Sequence, residues 1–291
     1  MGARDVVVAV LIAAAWGFTF VVIKVGLRDF PPLLFSALRF LVAALPLLWL
    51  WRAGPPAPWR HVIGIGLALG VAMFGLLFIA IDIGLPAGLA SLIAQTQALF
   101  TALLAALLLG ERPTRQQLAG MALAAVGIFA IAADIGSGGS LLGLVLVLGA
   151  ALAWAVANIL TKQAGTRDAL RLVIWMSAVS VLPLFALSWL FEGGERMVAA
   201  VLGMSWLGAG AVVFQSLIAT LAAFGAWSLL LARYPASLVA PFSLLVPVFG
   251  MSLTALLLGE SLSSAKLAGA ALVMAGLAVT VVRPVRIGKR P

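Results

Sequence analysis

The sequence predicts an all-helical membrane protein, and three observations carry that prediction. Of 291 residues, 64% are hydrophobic and only 9% are charged, far more apolar side chain than a water-soluble domain needs to fill its core. The apolar residues, with a mean hydropathy of +1.22, are gathered into ten runs close to the ~20 residues that a helix needs to cross the hydrocarbon layer. The runs are continuous, without the short alternating segments of a closed barrel.

The runs fall at roughly 6–27, 33–51, 61–82, 87–109, 116–134, 141–162, 171–191, 206–231, 236–258 and 265–282, each long enough to span. The first follows "MGARD"; it is longer than a signal-peptide core and has no clear small-residue cleavage site, so a retained helix is expected. The second follows Pro31-Pro32 and closes at Trp51-Arg52. The third lies between Arg60 and Asp82, and the fourth between Pro86 and Glu111. The fifth runs from Arg115 to the "GSGG" stretch, the sixth from there to Lys162, and the seventh from Arg171 to Glu192. The eighth ends at Arg233, the ninth at Gly259-Glu260, and the tenth begins near Lys266 and leads into a basic tail.

The net charge of +9 belongs to residues that border spans, so it orients the chain and implies no nucleic-acid partner. Arg4, Arg52, Arg60, Arg112, Arg115, Lys162, Arg167, Arg171, Arg233, Arg283, Arg286, Lys289 and Arg290 fall on the amino-terminal side. Only Lys24, Arg28, Arg196 and Lys266 fall opposite, so both termini are expected in the cytoplasm and the chain in the inner membrane. The absence of cysteine excludes disulfides and thiolate metal sites. His61 is the single histidine, and neither HExxH nor Gly-x-Ser-x-Gly occurs, so no catalytic residue, metal or cofactor is expected and the chain does not read as an enzyme. No "GxxxxGK[ST]" loop exists to drive a pump with ATP.

The hexapeptide "ALLLGE" occurs at Ala106 to Glu111 and again at Ala255 to Glu260, an offset of 149. In that register "LAG" at 118–120 meets 267–269, Gly127 meets Gly276, and Pro86-Ala87 meets Pro235-Ala236. Upstream, Trp16 and Lys24 match Trp154 and Lys162 at an offset of 138. The expected organisation is a first five-helix unit over 1–135, a second over 141–284 and a basic cytoplasmic tail over 285–291. Because five is odd, the second unit enters the membrane from the other side, the inverted-repeat pattern of carriers that open one central site alternately to either face.

The "WG" followed by lysine in the first run (Trp16, Gly17, Lys24), the "RF" in the second (Arg39, Phe40) and "LLLGE" closing the fourth and ninth resemble the EamA branch of the drug/metabolite transporter superfamily. Within it the chain is similar to YddG-type exporters of aromatic and other amino acids. The resemblance covers essentially the full length and implies export of amino acids or similar small metabolites. The pattern departs from the family at Phe18-Thr19, and the second unit has Trp154-Ala155 in place of Trp-Gly. Toxic organic cations and nucleosides remain open as alternative cargo, and a channel or a membrane-embedded enzyme as rival classes. The partners implied are a small-molecule substrate and the lipid bilayer, with no obligate protein partner.

A carrier of amphipathic solutes needs sparse hydrogen-bonding groups and aromatic walls at mid-membrane. The candidates are Trp16 and Phe20 in the first run, Phe74 and Phe78 in the third, Gln95 and Gln97 in the fourth, Trp154 and Asn158 in the sixth, and Ser243 in the ninth. In the eighth, Ser216, Thr220 and Phe224 form an i, i+4 ladder beside Trp227. Such groups also pack helices together, and both readings stand at this stage. Charges at span ends pair by the repeat: Lys24 with Glu260 and Lys162 with Glu111, as outer and inner gates or as separate helix-end contacts. Arg39 lies within its span and needs an acidic or carbonyl partner, with Asp29, Asp82 and Glu260 on the correct side; a packing anchor and a ligand for a substrate carboxylate are both open. No carboxylate occupies mid-membrane, Asp82 coming nearest, so proton coupling and facilitated diffusion both remain. Pro241 and Pro247 should kink the ninth helix, while the fourth has Leu92 and Ala98 there, so the two halves are expected to move differently.

Overall fold

The computed structural model describes residues 1–110, 114–135, 140–234, 236–261 and 263–281, and every regular element in them is helical. Eight helices among the described residues are long and apolar enough to cross a membrane. They are α1 (Ala3–Gly26), α3 (Trp59–Asp82), α4 (Ala87–Leu109), α5 (Arg115–Ile135), α6 (Leu141–Ala164), α7 (Ala169–Glu192), α8 (Trp206–Arg233) and α9, whose apolar stretch is Pro241–Leu258. In α2, Pro32–Ala44 and Leu47–Ala53 are bent by 42° at Pro46, which lacks an N–H and whose ring crowds the carbonyl of Val42. The last helix, α10 (Ser264–Val281), is shorter in its apolar part. The leucines of the paired hexapeptide stand out from the bundle: Leu107 is 70% exposed and Leu256 78%. With Trp189 and Leu190 similarly bare, this surface is solvated by lipid, and the chain is a multi-pass membrane protein.

Small residues set how closely the helices approach. A β-carbon on Gly127 of α5 would lie 2.7 Å from the Gly269 carbonyl of α10, and one on Gly276 would lie 2.5 Å from the Gly120 carbonyl. The two contacts are reciprocal: 120 and 127 are each shifted by 149 to reach 269 and 276. Without a hydrophobic drive in lipid, such backbone contact supplies the dispersion that joins the pair. In the same way Gly17 lets α1 lie against Phe249 and the backbone of Gly250 in α9.

Backbone irregularities occur in matched places. In α3 the segment Gly66–Met73 is a π-helix, and in α8 the segment Phe214–Ala222 is another. In α4 the ladder tightens at Gln95–Thr96, where Gln95 N–H bonds Leu92 O at 3.1 Å and Leu99 N–H bonds Thr96 O at 2.9 Å. In α9 a short turn (Ala236–Val239) and a 3₁₀ segment (Ala240–Leu244) precede the regular helix Leu245–Leu258. Pro241 lies in the 3₁₀ segment and Pro247 in the first turn of the following helix, where its missing N–H is tolerated. The fourth helix, which has Leu92 and Ala98 where the ninth has Pro241 and Pro247, thus departs from regular geometry as well. Gln95–Thr96, shifted by 149, falls on the junction Leu244–Leu245, although α4 has no proline there.

At one end of the bundle carboxylates cap helix N-termini, whose first N–H groups have no partner within their own helix. Glu260, after α9, accepts from Ala87 N–H (2.7 Å) and Gly88 N–H (2.9 Å) of α4. Glu192 of α7 accepts from Leu33 N–H (2.7 Å) and Leu34 N–H (3.0 Å) of α2. Asp29, after α1, accepts from the backbone N–H (2.7 Å) and hydroxyl (2.6 Å) of Ser205, which itself caps α8. At the opposite end Tyr234 donates to Asp5 (2.7 Å), joining the start of α1 to the end of α8.

Candidate functional site

Within the bundle lies a cavity of about 290 Å³, walled by α1, α2, α3, α4, α6, α8 and α9. From the amino-terminal half come Trp16, Thr19 and Phe20 of α1, Arg39 of α2, Leu69, Met73, Phe74 and Leu77 of α3, and Ala94, Gln95 and Gln97 of α4. The other half supplies Trp154 and Asn158, Ala219, Phe224 and Trp227, and Ser243 and Val246. Many of these residues are counterparts by the sequence offsets: Trp16 with Trp154, Phe20 with Asn158, Ala94 with Ser243, Gln97 with Val246. The cavity is thus matched in position and only partly in chemistry: Trp16 corresponds to Trp154, whereas Asn158, Ser243 and Gln97 each correspond to an apolar residue.

The walls are held by specific contacts. Trp16 donates its indole N–H to Ala219 O at 3.0 Å, and its ring lies 5.3 Å from both Phe224 and Trp227. Asn158 Nδ2 donates to Gln97 Oε1 at 2.7 Å and to Thr101 Oγ1 at 3.1 Å, tying α6 to α4. Gln95, 6% exposed, forms no side-chain hydrogen bond among the described residues and borders the cavity. Its amide is a donor and an acceptor free to meet a solute.

Three expected lining residues lie elsewhere. Phe78 is fully buried behind the wall, packed on Phe35 and Phe74. Ser216 donates to Arg39 O (2.9 Å) and Val212 O (2.6 Å), so it ties α8 to α2. Thr220 donates to Gln215 O at 2.7 Å and accepts from Arg39 Nη2 at 2.7 Å. The reason is the π segment: its wider turn breaks the i, i+4 register, so the ladder Ser216, Thr220, Phe224 does not share one face. Gln215, absent from the sequence reading, is fully buried and donates to Thr19 O at 3.2 Å.

Arg39 departs from expectation most. It is 2% exposed and forms no ion pair among the described residues; Asp29 serves Ser205, Asp82 is exposed at the end of α3, and Glu260 serves α4. Its guanidinium lies instead 3.9 Å from the Phe74 ring centre and 5.0 Å from that of Phe40. Nor do Lys24 and Glu260 pair. Lys24 Nζ donates to Ile81 O (3.3 Å) in the last turn of α3, so cation and anion each serve the helix terminus of opposite partial charge. Lys162 is exposed near the end of α6, and Glu111 lies outside the described residues.

The sequence pattern of the EamA-like transporter family matches residues 4–133 and again 141–282. The chain belongs to that family. Among relatives of this EamA-like transporter, a Salmonella typhimurium protein named "Probable amino-acid metabolite efflux pump" is 42% identical over 287 residues, 97% of this chain and 96% of its own. An Escherichia coli protein of the same name is 41% identical over the same shares. The Bacillus subtilis "Uncharacterized transporter YoaV" is 27% identical over 277 residues, 90% of this chain and 91% of its own. In fold, the EamA-like chain matches a crystal structure with a TM-score of 0.60 at 22% identity, over 96% of this chain and 98% of the other.

Proposed function

We propose that this EamA-like transporter is an inner-membrane carrier that exports amino acids or similar small metabolites by alternating access. The reading rests above all on the cavity, which is walled from both halves at matched positions and has about the volume of a small-ligand site. Ten spans, two inverted five-helix repeats and cytoplasmic termini complete it. The antiparallel run of α4 and α9, which carry the same hexapeptide, and the reciprocal α5–α10 glycine contacts support the inversion. The end that carries Glu192, Glu260 and Asp29 is then the outer one. The amino-acid cargo follows the names of the two 41–42% identical relatives.

In this reading Trp16, Trp154, Phe224 and Trp227 form the apolar walls for the solute, and Gln95 and Asn158 supply hydrogen bonds. Closure toward either side exchanges contacts at the two ends of the bundle while the solute stays enclosed. The test is counterflow into liposomes carrying the purified chain. Preloading with unlabelled leucine or phenylalanine should accelerate uptake of the same labelled amino acid. Equal uptake with and without preloading would make the chain a pore, and transport of organic cations or nucleosides alone would replace the cargo. Gln95→Ala should raise the KM of counterflow about tenfold, the loss of roughly one hydrogen bond to a charged solute.

A further inference from the structure

We propose that Arg39 is the anchor for a carboxylate on the transported solute, an inference that rests on reading the cavity as the solute site. A guanidinium presents five N–H donors in a planar fork and always carries its charge in such a setting. Here Thr220 accepts from Nη2, whereas Nε and Nη1 are buried and have no acceptor. No carboxylate among the described residues pairs with the charge, and the rings of Phe74 and Phe40 offset only part of the cost of burying it. A buried cation without a counter-ion is expensive unless something supplies the anion.

The residue borders the cavity, and so does Phe74, the ring nearest its fork. An incoming carboxylate that displaces the Phe74 ring meets a bidentate edge of the fork made by Nη2 with Nη1 or with Nε, since Nη2 carries two N–H groups and Thr220 takes only one. Thr220 and Ser216 hold the guanidinium and the backbone of Arg39 in place for this encounter. The polar wall around Gln95 is left for the solute's ammonium or side chain. The same charge repels organic cations, which makes the site selective as well as attractive.

The test is ligand-dependent thermal unfolding of the purified full chain, read as dissociation constants. Phenylalanine and phenylacetate, which carry a carboxylate, are compared with phenylalaninamide and phenethylamine, which do not; leucine, 4-methylvalerate, leucinamide and isoamylamine form the aliphatic series. In at least one series both carboxylates should bind tenfold or more tighter than the amide and the amine. Arg39→Gln should remove that difference and Arg39→Lys keep part of it. A smaller gap in both series, no binding in either, or discrimination that survives in Arg39→Gln overturns the proposal. If Arg39→Gln does not fold, the series on the unaltered chain decides alone. Carboxylate-selective binding without amino-acid counterflow would overturn the transport reading and leave Arg39 standing; counterflow with indifferent binding would do the reverse.

Discussion

Helices α4 and α9 carry the same closing hexapeptide and depart from regular α-geometry at the same register, yet by different local chemistry. In α9 the disturbance accompanies Pro241 in the 3₁₀ segment Ala240–Leu244. In α4 no proline is present, and the turn at Gln95–Thr96 is held by Thr96 Oγ1 donating to Ile93 O at 2.7 Å. Both disturbances border the cavity, through Gln95 on one helix and Ser243 on the other. A break that recurs where the proline is missing is imposed by the surroundings: by α1 and α4 packing on α9, and by the need to turn polar atoms toward a cavity. In α4, at least, no proline is needed for the break.

This contrast can be broken by experiment, starting where packing is tightest. Gly17→Val would place a β-carbon 2.5 Å from that of Phe249 and 2.9 Å from the Gly250 nitrogen, so α1 would be driven off α9. The expected loss is about 3 kcal/mol, the upper part of the usual overpacking range, read as a large drop in thermal unfolding midpoint and in counterflow. Next, Glu260→Ala removes both acceptors at the α4 N-terminus, and about 2 kcal/mol should be lost, with Glu260→Gln losing less. Smallest are the changes at the breaks themselves. Pro247→Ala should shift stability by about 1 kcal/mol or less, because first-turn proline forfeits no hydrogen bond, and counterflow should stay within about twofold. Thr96→Ala should cost about 0.5–1 kcal/mol, one side-chain hydrogen bond. If Pro247→Ala abolished counterflow while Gly17→Val was silent, the proline would be the hinge and the packing argument would fall.

Much of the cavity was legible because lipid makes polar and aromatic side chains conspicuous. Trp16, Trp154, Asn158, Gln95 and Gln97 stand out in apolar runs, and all border the cavity. Leu69, Met73 and Leu77 were not legible, since an apolar side chain facing a cavity is chemically indistinguishable from one facing lipid. Ser216 and Thr220 were misplaced because a ladder read at α-helical period fails across a π segment, and π segments leave no hydrophobic signature. For Lys24 and Glu260 the repeat left gate pairing and separate helix-end contacts both open, and each residue serves the terminus of a neighbouring helix.

What the chain alone determined was its solvent, its runs of span length and the offsets at which its motifs recur. These are local and additive: each apolar residue favours lipid wherever its neighbours lie, and a bilayer of set thickness selects the length. Tertiary structure decided which carboxylate caps which helix, which way α8 turns its hydroxyls, and that Arg39 ends among aromatic rings with no carboxylate partner among the described residues. Those outcomes depend on hydrogen bonds between residues more than 150 positions apart. Only the packed bundle brings such groups within reach of one another.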